Sequence, residues 1–84
     1  MLVQVFSVMD VKVGGFAQPF FAATVASAQR SFMAATQDQS TMLGQYPADF
    51  QLWHISEFDD NTAKFSPIQP EMICTGESIG VPNA

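Results

Sequence analysis

Three carboxylates in the second half of the chain are the first side chains with the chemistry to bind a hard cation. Glu57, Asp59 and Asp60 lie in the stretch ISEFDDNTAKF, residues 55–65. Carboxylate oxygens of this kind hold calcium or magnesium. The alternating ligands, central glycine and closing glutamate of a calcium loop are missing, whereas Asp and Asn side chains often bond their own backbone in turns. We interpret the cluster as a hairpin tip at Asp59–Thr62.

The single histidine and the single cysteine lack the partners that catalysis or metal binding needs. His54 stands among large apolar residues, and one imidazole is a poor ligand set for zinc. Cys74 has no basic neighbour in sequence to activate it as a nucleophile. No Ser/His/Asp set, glycine-rich phosphate loop or paired-carboxylate spacing stands out. We expect no catalytic residue, no metal and no cofactor, and we expect His54 in the core or at an interface.

A few cations and several aromatic rings are the remaining candidates for binding chemistry. Single-stranded DNA is held by cations at phosphates and by rings stacked on bases, each base contributing about 1–3 kcal/mol. The candidate nucleic-acid-binding residues are the cations Lys12, Arg30 and Lys64 and the rings Phe16, Tyr46 and Trp53. In the alternative interpretation, the rings form the core and Arg30 pairs with a carboxylate.

The composition limits the size, partners and compartment of the protein. Its 84 residues suffice for one domain, and its formal net charge of −5 disfavours a dense basic face for nucleic acid while leaving room for a small local site. With 48% hydrophobic and 13% charged residues, we expect apolar surface that is exposed or covered by a second chain. No apolar stretch is long enough to span a membrane, and no signal peptide is recognisable, which predicts a cytoplasmic protein.

The elements that position these residues follow from periodicity and turn signals. They are a strand over residues 1–9, a loop over 10–21, a helix Val25–Gln37 capped by Thr24, a hairpin of Phe50–Phe58 and Ala63–Ser66, and a short strand Met72–Thr75. In the first strand, Leu2, Gln4, Phe6 and Val8 share one face, and Val3, Val5, Ser7 and Met9 the other. In the long hairpin strand, Phe50, Leu52, His54 and Phe58 share one face, and Trp53 and Ile55 the other.

The predicted fold class is α+β, with one amphipathic helix packed on a small antiparallel sheet of three to four strands. Residues 1–76 form the domain, and residues 77–84 are predicted to be a mobile tail. The strands are apolar on both faces, and one helix covers only one of them. The segment Phe16–Phe21, the tail or a second copy of the protein would cover the other face. This pattern predicts a homodimer or a higher homo-oligomer.

Several short motifs, in a fixed order, resemble one family over roughly residues 1–68. The motifs are Phe6-Ser7-Val8 with Asp10 and Lys12, then Pro19-Phe20-Phe21, then Arg30 with Phe32, then Pro47, Asp49, Phe50, Leu52, Trp53, Ile55, Glu57, Phe58 and Asp59. In order and spacing they resemble the small nonstructural protein of gokushovirus-like microviruses, which are phages with circular single-stranded DNA genomes. Ser56 departs from the glycine that the family often has, and the C-terminal tail matches no family motif.

The resemblance implies a nonstructural, DNA-binding phage protein in the host bacterial cytoplasm. The function it implies is association with single-stranded DNA during viral genome synthesis or packaging, without catalysis. The alternative is an acidic adaptor that binds a viral or host replication protein without touching DNA. The net charge of −5 and the surplus of apolar residues motivate that alternative.

Overall fold

One long helix and one antiparallel sheet make up residues 1–77, the part of the chain that the structure, a computed structural model, describes. The strands are β1 (Leu2–Asp10), β2 (Gly15–Phe16), β3 (Phe20–Ala22), β4 (Phe50–Asp59) and β5 (Lys64–Thr75); the helices are α1 (Val25–Thr36) and the short α2 (Met42–Gln45), followed by a 3-10 turn at Pro47–Asp49. The predicted α+β class is confirmed. Apart from the exposed Glu77, the predicted mobile tail lies outside the described residues.

The sheet has the order β2-β1-β4-β5, and β3 also pairs with β1 on the β2 side. All of these pairings are antiparallel. Within residues 1–77 the sheet therefore has five strands rather than three to four, because the loop predicted over residues 10–21 contains β2 and most of β3. Two- and three-residue strands carry too short a pattern to be recognised from sequence alone.

Strand β5 is longer than predicted because two prolines do not interrupt it. The sequence predicts one strand that ends before Pro67 and another that starts at Met72, whereas β5 runs from Lys64 to Thr75. Among the described residues 1–77, it pairs only with β4 and forms one edge of the sheet. An inner strand donates N–H groups to neighbours on both of its sides, so a proline, which has no N–H, breaks its pairing. An edge strand tolerates a proline where the missing N–H would face solvent.

Helix α1 begins where the sequence predicts it. The Thr24 side chain accepts a hydrogen bond from the Ser27 backbone N–H at 3.1 Å, and the Ser27 hydroxyl accepts one from the Thr24 N–H at 3.2 Å. This reciprocal arrangement is a capping box. The helix buries Ala28, Phe32 and Thr36 against the sheet. It ends one residue earlier than predicted.

Replacement of Thr24 by alanine is expected to destabilise the protein by about 1 kcal/mol, because the helix loses the acceptor that caps its first turn. Urea denaturation followed by circular dichroism measures the change. Equal midpoints for the Thr24 variant and the unmodified protein would contradict the cap.

The core lies between α1 and the centre of the sheet. Its buried apolar residues are Phe6, Ala28, Phe32, Leu52 and Cys74, with Val8, Phe20, Ala22, Val25, Leu43, Phe50 and Ile73 packed around them. Phe6 and Val8 share this face of β1, as predicted. No helix within residues 1–77 is long and apolar enough to cross a lipid bilayer.

Candidate nucleic-acid interface

The side of the sheet opposite α1 is defined by strand register. Phe6, Leu52 and Cys74 face the helix, so the residues that alternate with them face away from it. We call this surface the outer face. Its members are Val3, Val5, Ser7 and Met9 of β1, Phe16 of β2, Phe21 of β3, Gln51, Trp53, Ser56 and Phe58 of β4, and Phe65, Pro67, Met72 and Thr75 of β5.

Five aromatic rings on the outer face form two groups. Phe58 lies between Phe21 and Phe65, with ring centroids 5.6 Å and 4.9 Å away. At the other end of the sheet, Phe16 meets Trp53 edge to face at 5.7 Å. The β1 residues that lie opposite the two groups are on average about four positions apart, which corresponds to roughly 13 Å along the strand. The outer face thus presents two ring platforms rather than one continuous cluster.

The segment from Phe16 to Phe21 covers only the middle of this face. Ser7 is 1% exposed, and its hydroxyl donates a hydrogen bond to the Ala17 carbonyl at 2.7 Å. Phe16 and Phe21 each remain 53% exposed, and Phe65 is 58% exposed. Within residues 1–77, therefore, half-exposed aromatic surface remains on both ring groups.

No member of the outer face carries a charge, although the chain is acidic. The carboxylates stand elsewhere. Asp10 and Asp59 close the ends of strands, Glu57 and Glu71 lie in register with residues of the helix-side face, and Asp38, Asp49, Asp60 and Glu77 belong to turns. The carboxylates behind the net charge of −5 therefore lie off this face.

Three of the six residues predicted to bind nucleic acid lie at one end of the outer face. Phe16 and Trp53 are in contact, and Lys12 lies in the exposed turn between β1 and β2, four residues before Phe16. The Asp10 carboxylate accepts hydrogen bonds from the backbone N–H groups of Lys12 and Val13 and so shapes this turn. This end of the sheet combines a cation with two rings, as base and phosphate binding requires.

The other three predicted residues are dispersed. Lys64 begins β5 at the opposite end of the sheet. Arg30 is exposed on α1 and is separated from the outer face by the sheet. Tyr46 is 52% exposed between α2 and the 3-10 turn and has no ring contact with the outer face. No side-chain ion pair involves Lys12, Arg30 or Lys64 in the part of the chain that the structure describes, so Arg30 has no carboxylate partner there.

The trio of Phe21, Phe58 and Phe65 was not among the predicted binding residues. Strand alternation alone places Phe58 on the same face as Leu52, and this prediction is wrong. Ile55 has no partner in either neighbouring strand, and the pairing skips from His54 to Ser56. Such a bulge moves every later side chain to the opposite face, so Phe58 joins Trp53 on the outer face.

The acidic cluster lies at a hairpin, as predicted, but the tip is the turn 60–63 rather than Asp59–Thr62. Asp59 pairs with Lys64 at the ends of the two strands, and Glu57 lies within β4. The Asp59 carboxylate accepts the Asn61 N–H at 2.9 Å, and this bond is the main cause of a lowered pKa at Asp59. The Asp60 carboxylate contacts the Met1 ammonium at 3.0 Å. Ala63 adopts a left-handed φ of 63° to complete the turn. No group of side chains suited to a metal ion occurs within residues 1–77.

His54 and Cys74 belong to the packing of the helix-side face. The His54 ring stacks on Phe6 with centroids 4.9 Å apart, and its Nε2 lies 2.8 Å from the Gln4 amide oxygen. Cys74 is 4% exposed, and burial raises the pKa of its thiol despite a hydrogen bond with Gln29. A buried thiol that stays protonated is a weak nucleophile.

Comparison with known families adds an observation independent of this geometry. A family model described as "Phage ORF5 protein" matches residues 3–79. The chain belongs to the phage ORF5 protein family. The match covers α1 and all five strands apart from Leu2, so the fold described above is the fold of this phage protein over nearly the whole matched region. Neither the curated proteins nor the solved structures that were searched gave a match.

Proposed function

We propose that this phage protein associates with single-stranded DNA through its outer face and acts without catalysis in viral genome synthesis or packaging. Its place is the cytoplasm of the host bacterium, and its source is a gokushovirus-like microvirus, as the motif resemblance implies. The observation that carries the proposal is the grouping of five aromatic rings on a sheet face without charge.

Base stacking supplies the attractive part of this interaction. Sheet surfaces with exposed rings bind single-stranded nucleic acids because every base has a π-face that stacks without regard to sequence. Phe16, Phe21 and Phe65 each expose more than half of their surface, and their ring neighbours Trp53 and Phe58 hold them in place. Each of the two ring groups therefore offers a stacking position for a base.

The phosphate contribution is small and confined to the ends of the outer face. Lys12 lies in the turn between β1 and β2, four residues before Phe16, and Lys64 is the first residue of β5, next to Phe65. Neither lysine is held in a side-chain ion pair within residues 1–77. With two phosphate contacts, the logarithm of the binding constant should fall with the logarithm of the salt concentration with a slope of about −1.4. Stacking, rather than charge, must then dominate the affinity.

Substitution of Lys12 tests whether the DNA lies on the outer face. Lys12→Gln is expected to reduce the salt slope by about 0.7, because one phosphate contact is lost. Arg30→Gln removes the same charge from the opposite side of the sheet and should leave the slope unchanged. Fluorescence anisotropy with a labelled oligodeoxythymidylate, measured at several salt concentrations, gives both slopes. If the Arg30 variant alone changes the slope, the DNA does not lie on the outer face.

A second function, an adaptor that binds a viral or host replication protein, is favoured by the same apolar surface. A half-exposed aromatic patch without charge has the composition of the centre of a protein–protein interface. Size-exclusion chromatography with the purified replication initiator of the phage distinguishes the two functions. The adaptor function predicts a complex that Phe65→Ala weakens, together with no oligonucleotide binding at low salt.

A further inference from the structure

The edges of the sheet are protected against pairing with another copy of the chain. Pro67 and Pro70 remove two backbone N–H donors from the edge strand β5. Three residues of β5, Ile68–Pro70, also form a bulge opposite the single Ile55 of β4. Prolines and bulges of this kind are devices that block edge-to-edge association. The other edge consists of β2 and β3, with two and three residues. Extension of the sheet into a second copy is therefore disfavoured at both edges.

The outer face is a surface on which two copies can meet without bringing carboxylates together. Each copy has a net charge of −5, and like charges buried across an interface cost free energy unless they find partners. Residues 1–77 place no carboxylate among the members of the outer face. We propose that, without DNA, the outer face of one copy packs on the outer face of a second copy in a symmetric dimer.

The dimensions of the sheet predict how strong this dimer is. A face as long as β1 and β4, at about 3.3 Å per residue, and four strands wide, at about 4.8 Å spacing, measures at most roughly 600 Å², because β2 and β3 fill only part of the fourth position. Two such faces bury at most about 1,200 Å² in total, which is the lower end of stable interfaces. The association should therefore be weak and depend on protein concentration. In a symmetric dimer of this kind, the same residues contact one another from both sides.

Salt should strengthen this dimer, which is opposite to its effect on DNA binding. Added salt screens the repulsion between two acidic molecules, whereas it weakens contacts to phosphates. The contacts of the dimer are made by the same rings that the proposed function assigns to base stacking. If that function is correct, dimer formation and DNA binding exclude each other, and the dimer is a form in which the binding rings are covered.

Analytical ultracentrifugation of the full chain, from low micromolar to near-millimolar concentration and at two salt concentrations, tests the dimer. The unmodified protein should change from monomer to dimer with increasing concentration, and more readily at the higher salt. Phe65→Glu puts a carboxylate on each side of the symmetric interface and should raise the dissociation constant at least about tenfold. Tyr46→Glu makes a comparable change at a position of similar exposure away from the outer face, and it should leave the constant within about twofold.

Three outcomes overturn the inference. The first is a protein that stays monomeric at every concentration while circular dichroism shows it folded. The second is an equal effect of Phe65→Glu and Tyr46→Glu, which would place the interface elsewhere. The third is a dimer that binds the oligonucleotide without dissociating, which would show that the two surfaces differ. A dimer that Phe65→Glu disrupts and that binds no DNA supports the inference and removes the proposed function.

Discussion

Alanine in place of both Phe16 and Phe65 is expected to weaken binding of single-stranded DNA by at least about 30-fold. Each ring belongs to a different group of the outer face, and loss of one stacked base costs about 1–3 kcal/mol. The two groups lie roughly 13 Å apart along β1, a separation at which substitution effects usually add. The combined loss is therefore at least about 2 kcal/mol. Fluorescence anisotropy with a labelled oligodeoxythymidylate measures it at low salt.

Tyr46→Ala is the matched control for this variant. Tyr46 is 52% exposed, nearly the same as the 53% of Phe16, and it lies off the outer face. It should bind DNA within about twofold of the unmodified protein. Thermal unfolding of each variant shows whether a loss of binding reflects a loss of folding. Equal losses for the Tyr46 variant and the double variant would mean that the outer face is not the binding surface.

Leu52→Ala is expected to have the largest effect on stability, a loss of about 2–5 kcal/mol. Leu52 is 0% exposed on the central strand β4, between Val8 of β1 and Cys74 of β5. Its replacement leaves a cavity beneath α1 that neighbouring strands cannot collapse to fill. A domain of this size is stable by only about 4–13 kcal/mol, so this single change removes a large part of the free energy of unfolding.

Leu2→Ala is the control, since the chemical change is the same and Leu2 is 47% exposed at the start of β1. Its expected cost is below about 1 kcal/mol, because little apolar surface leaves a buried site. Urea denaturation followed by far-ultraviolet circular dichroism gives both free energies of unfolding. A Leu52 variant no less stable than the Leu2 variant would contradict the position of the core.

Local patterns in the sequence predicted the parts of the fold that depend on neighbouring residues. Alternation along β1 assigned both of its faces correctly, and Thr24 marked the start of α1. The register of β4 was not predictable in the same way, because the bulge at Ile55 arises from pairing with strands distant in sequence. The continuity of β5 across Pro67 was not predictable from the sequence for a similar reason. Whether a strand lies at an edge is a property of the whole sheet.

The candidate site was likewise predictable only where residue type or local sequence was enough. The type of residue was enough to propose Lys12, Phe16 and Trp53, and the structure brings these three to one end of the outer face. Arg30 was proposed on its charge alone, and only the packing of α1 reveals that it lies across the sheet. The ring trio around Phe58 depends on three strands in register, so no local signal indicated it.

A salt titration of oligodeoxythymidylate binding, with the unmodified protein and the Phe16/Phe65 double alanine variant side by side, tests the central claim most directly. An oligonucleotide of about 16 nucleotides is long enough for the site of a small single-strand-binding fold. We predict binding at low salt, a slope near −1.4 in the logarithmic plot, and a large loss of affinity in the double variant. No binding by the folded, unmodified protein at low salt, or equal affinity for both proteins, would contradict the account.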